Sequence, residues 1–155
     1  MAFGGRDHDA RITGVHSFFQ RLAALRPEFL ALLRIMTALL YLEHGTQKLF
    51  HWPAMPVAAG HAGGGGGPPS WFVLIGILEV VGSLLVIVGW WARVAAFVLS
   101  GEMAVAYFMA HAPHNFFPIY NGGEAAILFC FVYLYIAAAG PGEWSVDKAR
   151  GSEWA

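Results

Sequence analysis

Glutamate recurs in this chain where apolar sequence should exclude it. Glu43, Glu79, Glu102 and Glu124 each sit within, or at the edge of, a long apolar run. An ionisable group deep in a bilayer costs several kcal/mol unless it is paired, neutral or hydrated, and such groups are functional by default. Clustered carboxylates in a low dielectric resist joint ionisation, which suits one of them to accept and return a proton. The same carboxyls would also serve simply as hydrogen-bonding groups between helices. Other polar groups surround them. Gln47 lies one turn beyond Glu43, and His44, Lys48 and His51 recur at i, i+4 and i+7. Lys48 can snorkel or pair with a carboxylate. Tyr107, His111 and His114 follow Glu102.

Counting about 1.5 Å per helical residue, Glu43, Glu79 and Glu102 all fall roughly 10–14 Å below one interface. Three acids from three helices at one depth predict a layer, facing the interior of a helical bundle near Gln47. Gly76, Glu79, Gly82 and Ser83 share one helical face, and small residues let a neighbouring helix approach. Glu124 reads differently. Asn121-Gly122-Gly123-Glu124 has the form of a capping box, with Asn121 at the cap and Glu124 at N3. For His44 and His111 the plain reading is interfacial polarity. Di-iron carboxylate bundles need Glu-x-x-His on two helices. No glutamate here has a histidine three residues later, and His44 and His111 lie at different depths, so neither a metal nor a haem site is expected. Phosphate-loop, HExxH and nucleophile-elbow patterns are absent.

The elements that must position these groups are apolar runs near the length of about 20 residues needed to cross hydrocarbon. They run from about Phe29 to Phe50, Trp71 to Trp90, Ala92 to His111 and Gly122 to Ala139. Gly and Pro end them, at Trp52-Pro53, Gly89, Ala112-Pro113 and Gly140-Pro141-Gly142. Composition agrees. The 155 residues are 57% hydrophobic and only 12% charged, with a mean hydropathy of +0.56, where soluble domains average about 25% charged. A soluble helix would show a polar face, yet Val73 to Val88 and Val94 to Ala110 offer one charged residue each. The net charge of −1 gives no electrostatic footprint for nucleic acid. One cysteine, Cys130, excludes an internal disulfide.

Basic residues set orientation. Arg6, Arg11, Arg21, Arg26, Arg34, Arg93, Lys148 and Arg150 fall on one side of a four-span arrangement, and Lys48 is the exception. The expected fold is therefore all-α, a four-transmembrane-helix bundle with both ends cytoplasmic, with residues 51–70 and 112–121 outside. Trp52 and Trp71 would mark the outer interface, and Trp90, Trp91 and Trp144 the inner one. Residues 1–27 show no continuous apolar core of a signal peptide. Within them Val15, Phe18, Phe19, Leu22 and Leu25 recur at helical spacing, predicting a surface helix over 13–26 on the inner leaflet. Residues 28–148 form the membrane domain and 149–155 a tail. The glycine run in His61 to Pro69 predicts a mobile outer loop.

Leu39 to Phe50 (LLYLEHGTQKLF), Gly76 to Gly82 (GILEVVG), Gly101 to Tyr107 (GEMAVAY), Phe117-Pro118, Asn121 to Glu124 (NGGE) and Gly140 to Asp147 (GPGEWSVD) follow one another along the chain. Together these segments resemble the DoxX family of small bacterial membrane proteins. Gly82-Ser83 stands where Gly-Gly is more usual. The resemblance implies an inner-membrane protein, multi-pass, similar to subunits of thiosulfate:quinone oxidoreductases and associated with redox partners. It supplies no catalytic residue set, and whether the chain is itself an enzyme stays open. Three functions are consistent with these observations. One is a quinone-linked redox subunit, in which Glu43, His44, Glu79 and Glu102 handle protons and Gln47, Lys48, Tyr107 and His111 contact the head group. Electrons would then come from a redox protein partner, since the sequence shows no electron-carrying site. The others are a scaffold or assembly factor for redox partners, and a proton or small-solute carrier.

Overall fold

The computed structural model describes residues 5–54 and 69–152. Its order is α1 (Gly5–Ala24), α2 (Arg26–Phe50), α3 (Pro69–Val88), α4 (Ala92–Ala106), α5 (Pro118–Asn121), α6 (Glu124–Ala139) and α7 (Val146–Ala149), with no strand among the described residues. The expected glycine-run loop lies outside the described residues, except for Pro69.

Local chemistry sets the boundaries. Pro27 opens α2, where a missing N–H costs nothing. His51, in the left-handed region at φ 56°, closes it by returning its N–H to the Gln47 carbonyl. A turn through Gly89, at φ +68°, joins α3 to α4. A side chain at Gly89 would meet the α3–α4 turn's neighbour Ser145, so the position demands glycine for its backbone angle and for space. Beyond Ala106 the helix widens into a π-helical turn, Tyr107–His111.

Among the described residues two helices are long and apolar enough to cross a membrane, Ser70–Val88 and Ala92–His111. The other two long elements of the core fall short for separate reasons. α2 has the length but carries Arg34, Glu43 and Lys48. α6 is apolar but has only 16 residues.

α2 packs along α3, and α4 along α6; α3 meets α4, while α2 approaches α6 over a shorter stretch. Glycines make the first contact close. A Cβ at Gly45 would stand 2.8 Å from Val80 Cγ2 and 2.9 Å from the Val80 backbone nitrogen, and one at Gly76 would meet Leu49. Gly82 leaves the same kind of room for Leu99 of α4. The core is Ala38, Tyr41, Val86, Ala95, Ala96, Leu99, Met103, Ala126, Tyr133 and Ile136. Its small residues sit inside, and large apolar ones, among them Met36, Leu74, Phe97, Leu128 and Phe131, are exposed on α2, α3, α4 and α6. This inverts the soluble pattern, in which extended apolar surface is hidden.

One end of the molecule is tied by a buried arginine. Arg34, with no exposed surface, donates from Nε to the Pro141 carbonyl at 2.7 Å and from Nη1 to the carbonyls of Val86 and, at 2.6 Å, Ile87. Its Nη2 reaches the carbonyls of Glu143 and Trp144. The last carbonyls of α3 are thereby capped, as a helix end requires. Asp147, also buried, accepts from the Trp91 and Ala92 backbone N–H groups at 3.1 Å each, capping α4. The closing Gly140 to Asp147 segment is thus a clamp across the α3–α4 turn and the start of α2.

Three expectations need correction. The surface helix is longer than 13–26 and begins at Gly5, with a break at Leu25. The last long helix starts at Glu124, after a left-handed Gly122. The capping box does not form. Gly123 occupies the N-cap of α6, so Glu124 is the first helical residue and no longer at N3. Asn121 instead accepts from the Gly123 N–H at 2.7 Å and donates to the Asn115 carbonyl, folding the loop on itself.

Candidate functional site

The buried face of α2 is written in its sequence as Ala31, Arg34, Ala38, Tyr41 and Gly45, a spacing of three and four. Extending that face by three residues places Lys48 beside α3. There its Nζ meets both oxygens of Glu79, at 2.5 and 2.7 Å. Glu79 is 1% exposed and Lys48 22%. The ammonium therefore closes the cluster on its outer side, and the carboxylate lies within. Glu79 reaches this position because Gly76, Gly82 and Ser83 on its face are all buried against neighbours.

Glu102, on α4, completes the cluster. Tyr41, fully buried, donates its hydroxyl to Glu102 Oε2 at 3.0 Å. The Glu102 carboxyl lies close enough to Glu79 for the two to interact electrostatically. The result is a chain, Lys48–Glu79–Glu102–Tyr41, linking α2, α3 and α4 with two carboxyls to one cation.

Aromatic rings continue it. Tyr41 packs edge-on to Tyr133 at 5.3 Å and against Phe129 at 5.1 Å, and His44 lies 5.8 Å from both Tyr41 and Phe129. Ser83, one turn further along α3, and Tyr133 are both fully buried, and neither hydroxyl has a hydrogen-bond partner among the described residues.

The expected residues therefore divide. Glu79, Glu102 and Lys48 come together, and His44 borders the aromatic side. Glu43 does not join them: it is exposed, two residues from both Tyr41 and Gly45 and so about 200° around the helix from the buried face. The expected three-acid layer is a two-acid one. Gln47 is half-buried and contributes its carbonyl to the α2 end. Tyr107 and His111 belong to the π-turn. Tyr107 fits against Gly123, where a Cβ would come within 2.6 Å of the ring, and His111 Nδ1 is 3.0 Å from the Asn121 carbonyl. They bind the loop that leads into α6, and the structure records no contact between them and the acids. Among the described residues no three His, Cys, Asp or Glu side chains are grouped to hold a metal.

Two residues of the cluster, Tyr41 and Tyr133, were not singled out from sequence. The signal for Tyr41 was its place in the three-and-four spacing of α2. For Tyr133, flanked by apolar residues on all sides, no local signal exists.

Comparison with known proteins gives two matches. The DoxX family profile matches residues 29–112, which hold every member of the Lys48–Glu79–Glu102–Tyr41 chain. An uncharacterized protein of Haemophilus influenzae is 43% identical over 130 residues, covering 82% of this chain and 94% of its own length. No solved structure matches.

Proposed function

This chain belongs to the DoxX family of membrane proteins, and from that membership together with the buried polar chain we propose a four-span bacterial inner-membrane protein that exchanges protons in a quinone-linked redox reaction. In this reading α2, α3, α4 and α6 cross the bilayer with both ends cytoplasmic, and residues 28–148 form the membrane domain. Large apolar side chains facing outward on all four helices support the crossings of α2 and α6, which hydropathy alone does not select.

The observation that carries the reading is the excess of carboxyl over cation in the cluster, two carboxyls to one ammonium. Lys48 balances Glu79, and Glu102 then has a tyrosine hydroxyl in place of a counter-charge. A group held in this way can take up or release a proton by rearranging hydrogen bonds already present. Reducing a quinone to a quinol consumes two electrons and two protons. The electrons would come from a redox protein partner. The protons would pass through Glu102 and Glu79, with His44 and the rings of Tyr41 and Phe129 bordering the head group. Tyr107, His111 and Gln47 are then residues of the outer end, and Glu43 a lipid-side or interfacial group.

The test is quinone reduction in membranes that contain the native partners, with Glu79→Gln, Glu102→Gln and Tyr41→Phe. Loss of turnover on Glu102→Gln with the protein still assembled supports proton handling. Unchanged turnover in all three assembled variants would overturn it. The scaffold reading would then stand, since the same chain staples α2 to α3 and to α4.

A further inference from the structure

Among the described residues α1 packs chiefly on the start of α2, yet Val15, Phe18 and Phe19 are each 57–59% exposed, with Leu22 and Leu25 exposed beside them. At 100° per residue Val15, Phe18, Phe19 and Leu22 fall on one stripe, while Ser17 and Gln20 lie on the opposite side and Arg21 on the flank. A helix of this kind cannot stay uncovered in water, where apolar area costs about 25 cal/mol per Å².

The tertiary structure says at what level α1 lies. α2 begins at Arg26, and the Pro27 carbonyl accepts from the Glu143 N–H at 3.2 Å. Arg34 and Asp147 hold that closing segment against the α3–α4 turn. So the junction of α1 with α2 sits beside Trp90, Trp91 and Trp144, all three exposed. Tryptophans gather at a membrane–water interface. Beyond the junction, Leu25 continues into Phe29, Leu32, Leu33 and Met36, the exposed apolar side of α2. Basic residues crowd the same end: exposed Arg21 and Arg26, and Arg150, whose guanidinium lies 5.8 Å over the Trp90 ring.

We propose that α1 lies in the headgroup layer of the leaflet at the Trp90–Trp91–Trp144 end, its Val15–Phe18–Phe19–Leu22 stripe in acyl chains and Arg21 and Arg26 on anionic phospholipid headgroups. Apolar burial holds the helix down, and lipid charge adjusts how firmly. The binding is independent of the quinone reading. A second protein chain and a second copy of this one are the competing occupants.

Site-directed spin labelling of the full chain, purified and placed alone in lipid nanodiscs, distinguishes them. Labels go on Phe18→Cys and, separately, on Gln20→Cys, in a Cys130→Ser background. Nanodiscs contain phosphatidylcholine alone or phosphatidylcholine with phosphatidylglycerol. In the anionic discs the label at 18 is expected to be relaxed by oxygen and shielded from a water-soluble relaxant, and the label at 20 the reverse. Arg21→Gln should shift the balance between lipid-bound and lifted helix by about fivefold, the effect of one basic residue near an anionic surface. Equal aqueous access at both positions overturns the proposal. So does a contrast indifferent to lipid charge, or shielding at 18 that appears only with dipolar broadening between copies.

Discussion

Replacing Arg34 tests whether a buried cation, and not apolar packing, locks the end of the bundle that holds the α3–α4 turn. Five hydrogen bonds leave this side chain, and two of them end on buried carbonyls, those of Pro141 and Val86. A hydrogen bond from a charged donor contributes about 1.5–3 kcal/mol, so these two alone are worth roughly 3–6 kcal/mol. Removing the guanidinium also removes several kcal/mol of desolvation cost. The Val86 carbonyl keeps part of its satisfaction, since the Gly89 N–H also reaches it. Arg34→Met, which preserves volume, is expected to lose about 3 kcal/mol. Arg34→Lys keeps the charge but not the planar fork that serves carbonyls on two sides, and should recover less than half of that loss. The assay is reversible unfolding of the purified protein by SDS in mixed micelles, followed by far-ultraviolet circular dichroism. If Arg34→Met unfolds within about 0.5 kcal/mol of the wild type, the effect of an ordinary surface change, the clamp contributes nothing and the closing motif needs another explanation.

Three further outcomes follow from the same geometry. Gly45→Ala places a methyl 2.8 Å from Val80 Cγ2 and 2.9 Å from backbone, and should cost about 1–3 kcal/mol in SDS unfolding by overpacking. Gly101→Ala, with nothing within 4 Å, should instead stabilise by up to about 1 kcal/mol through helix propensity. Lys48→Met leaves Glu79 buried without its counter-ion and is expected to cost about 3–5 kcal/mol. The double variant Lys48→Met/Glu79→Leu should be more stable than Lys48→Met alone, and additive losses in the cycle would refute the ion pair. For topology, cysteines at His114 and Ala149, in a Cys130→Ser background, are probed in intact cells with an impermeant thiol reagent. Labelling at 114 and not at 149 is expected, and the reverse pattern would invert the orientation.

Much of the fold could be read from the chain because helices need only local information. Apolar runs ended by Gly and Pro mark α3 and α4 closely, and α2 and α6 to within a few residues. The face of α3 was legible as well. Glu79 is buried because Gly76, Gly82 and Ser83 flank it on one face, and small side chains mark where a helix is approached. The family was legible from short motifs whose order survives even where single residues differ.

What the sequence could not decide is rotation about the helix axis and contact across the chain. Counting residues placed Glu43, Glu79 and Glu102 at one depth, but depth carries no azimuth. α2 turns Gly45 onto Val80 because only glycine tolerates that approach. The turn brings Tyr41 and Lys48 inward and sends Glu43 out. The partners of Arg34 are backbone carbonyls, at Pro141, Glu143 and Trp144 more than a hundred residues away. A carbonyl has no residue identity, so no pattern of side chains announces it. The Asn121 loop turned on the same distinction. A cap depends on which backbone N–H groups are left over when the helix begins, and only the folded chain sets that beginning at Glu124.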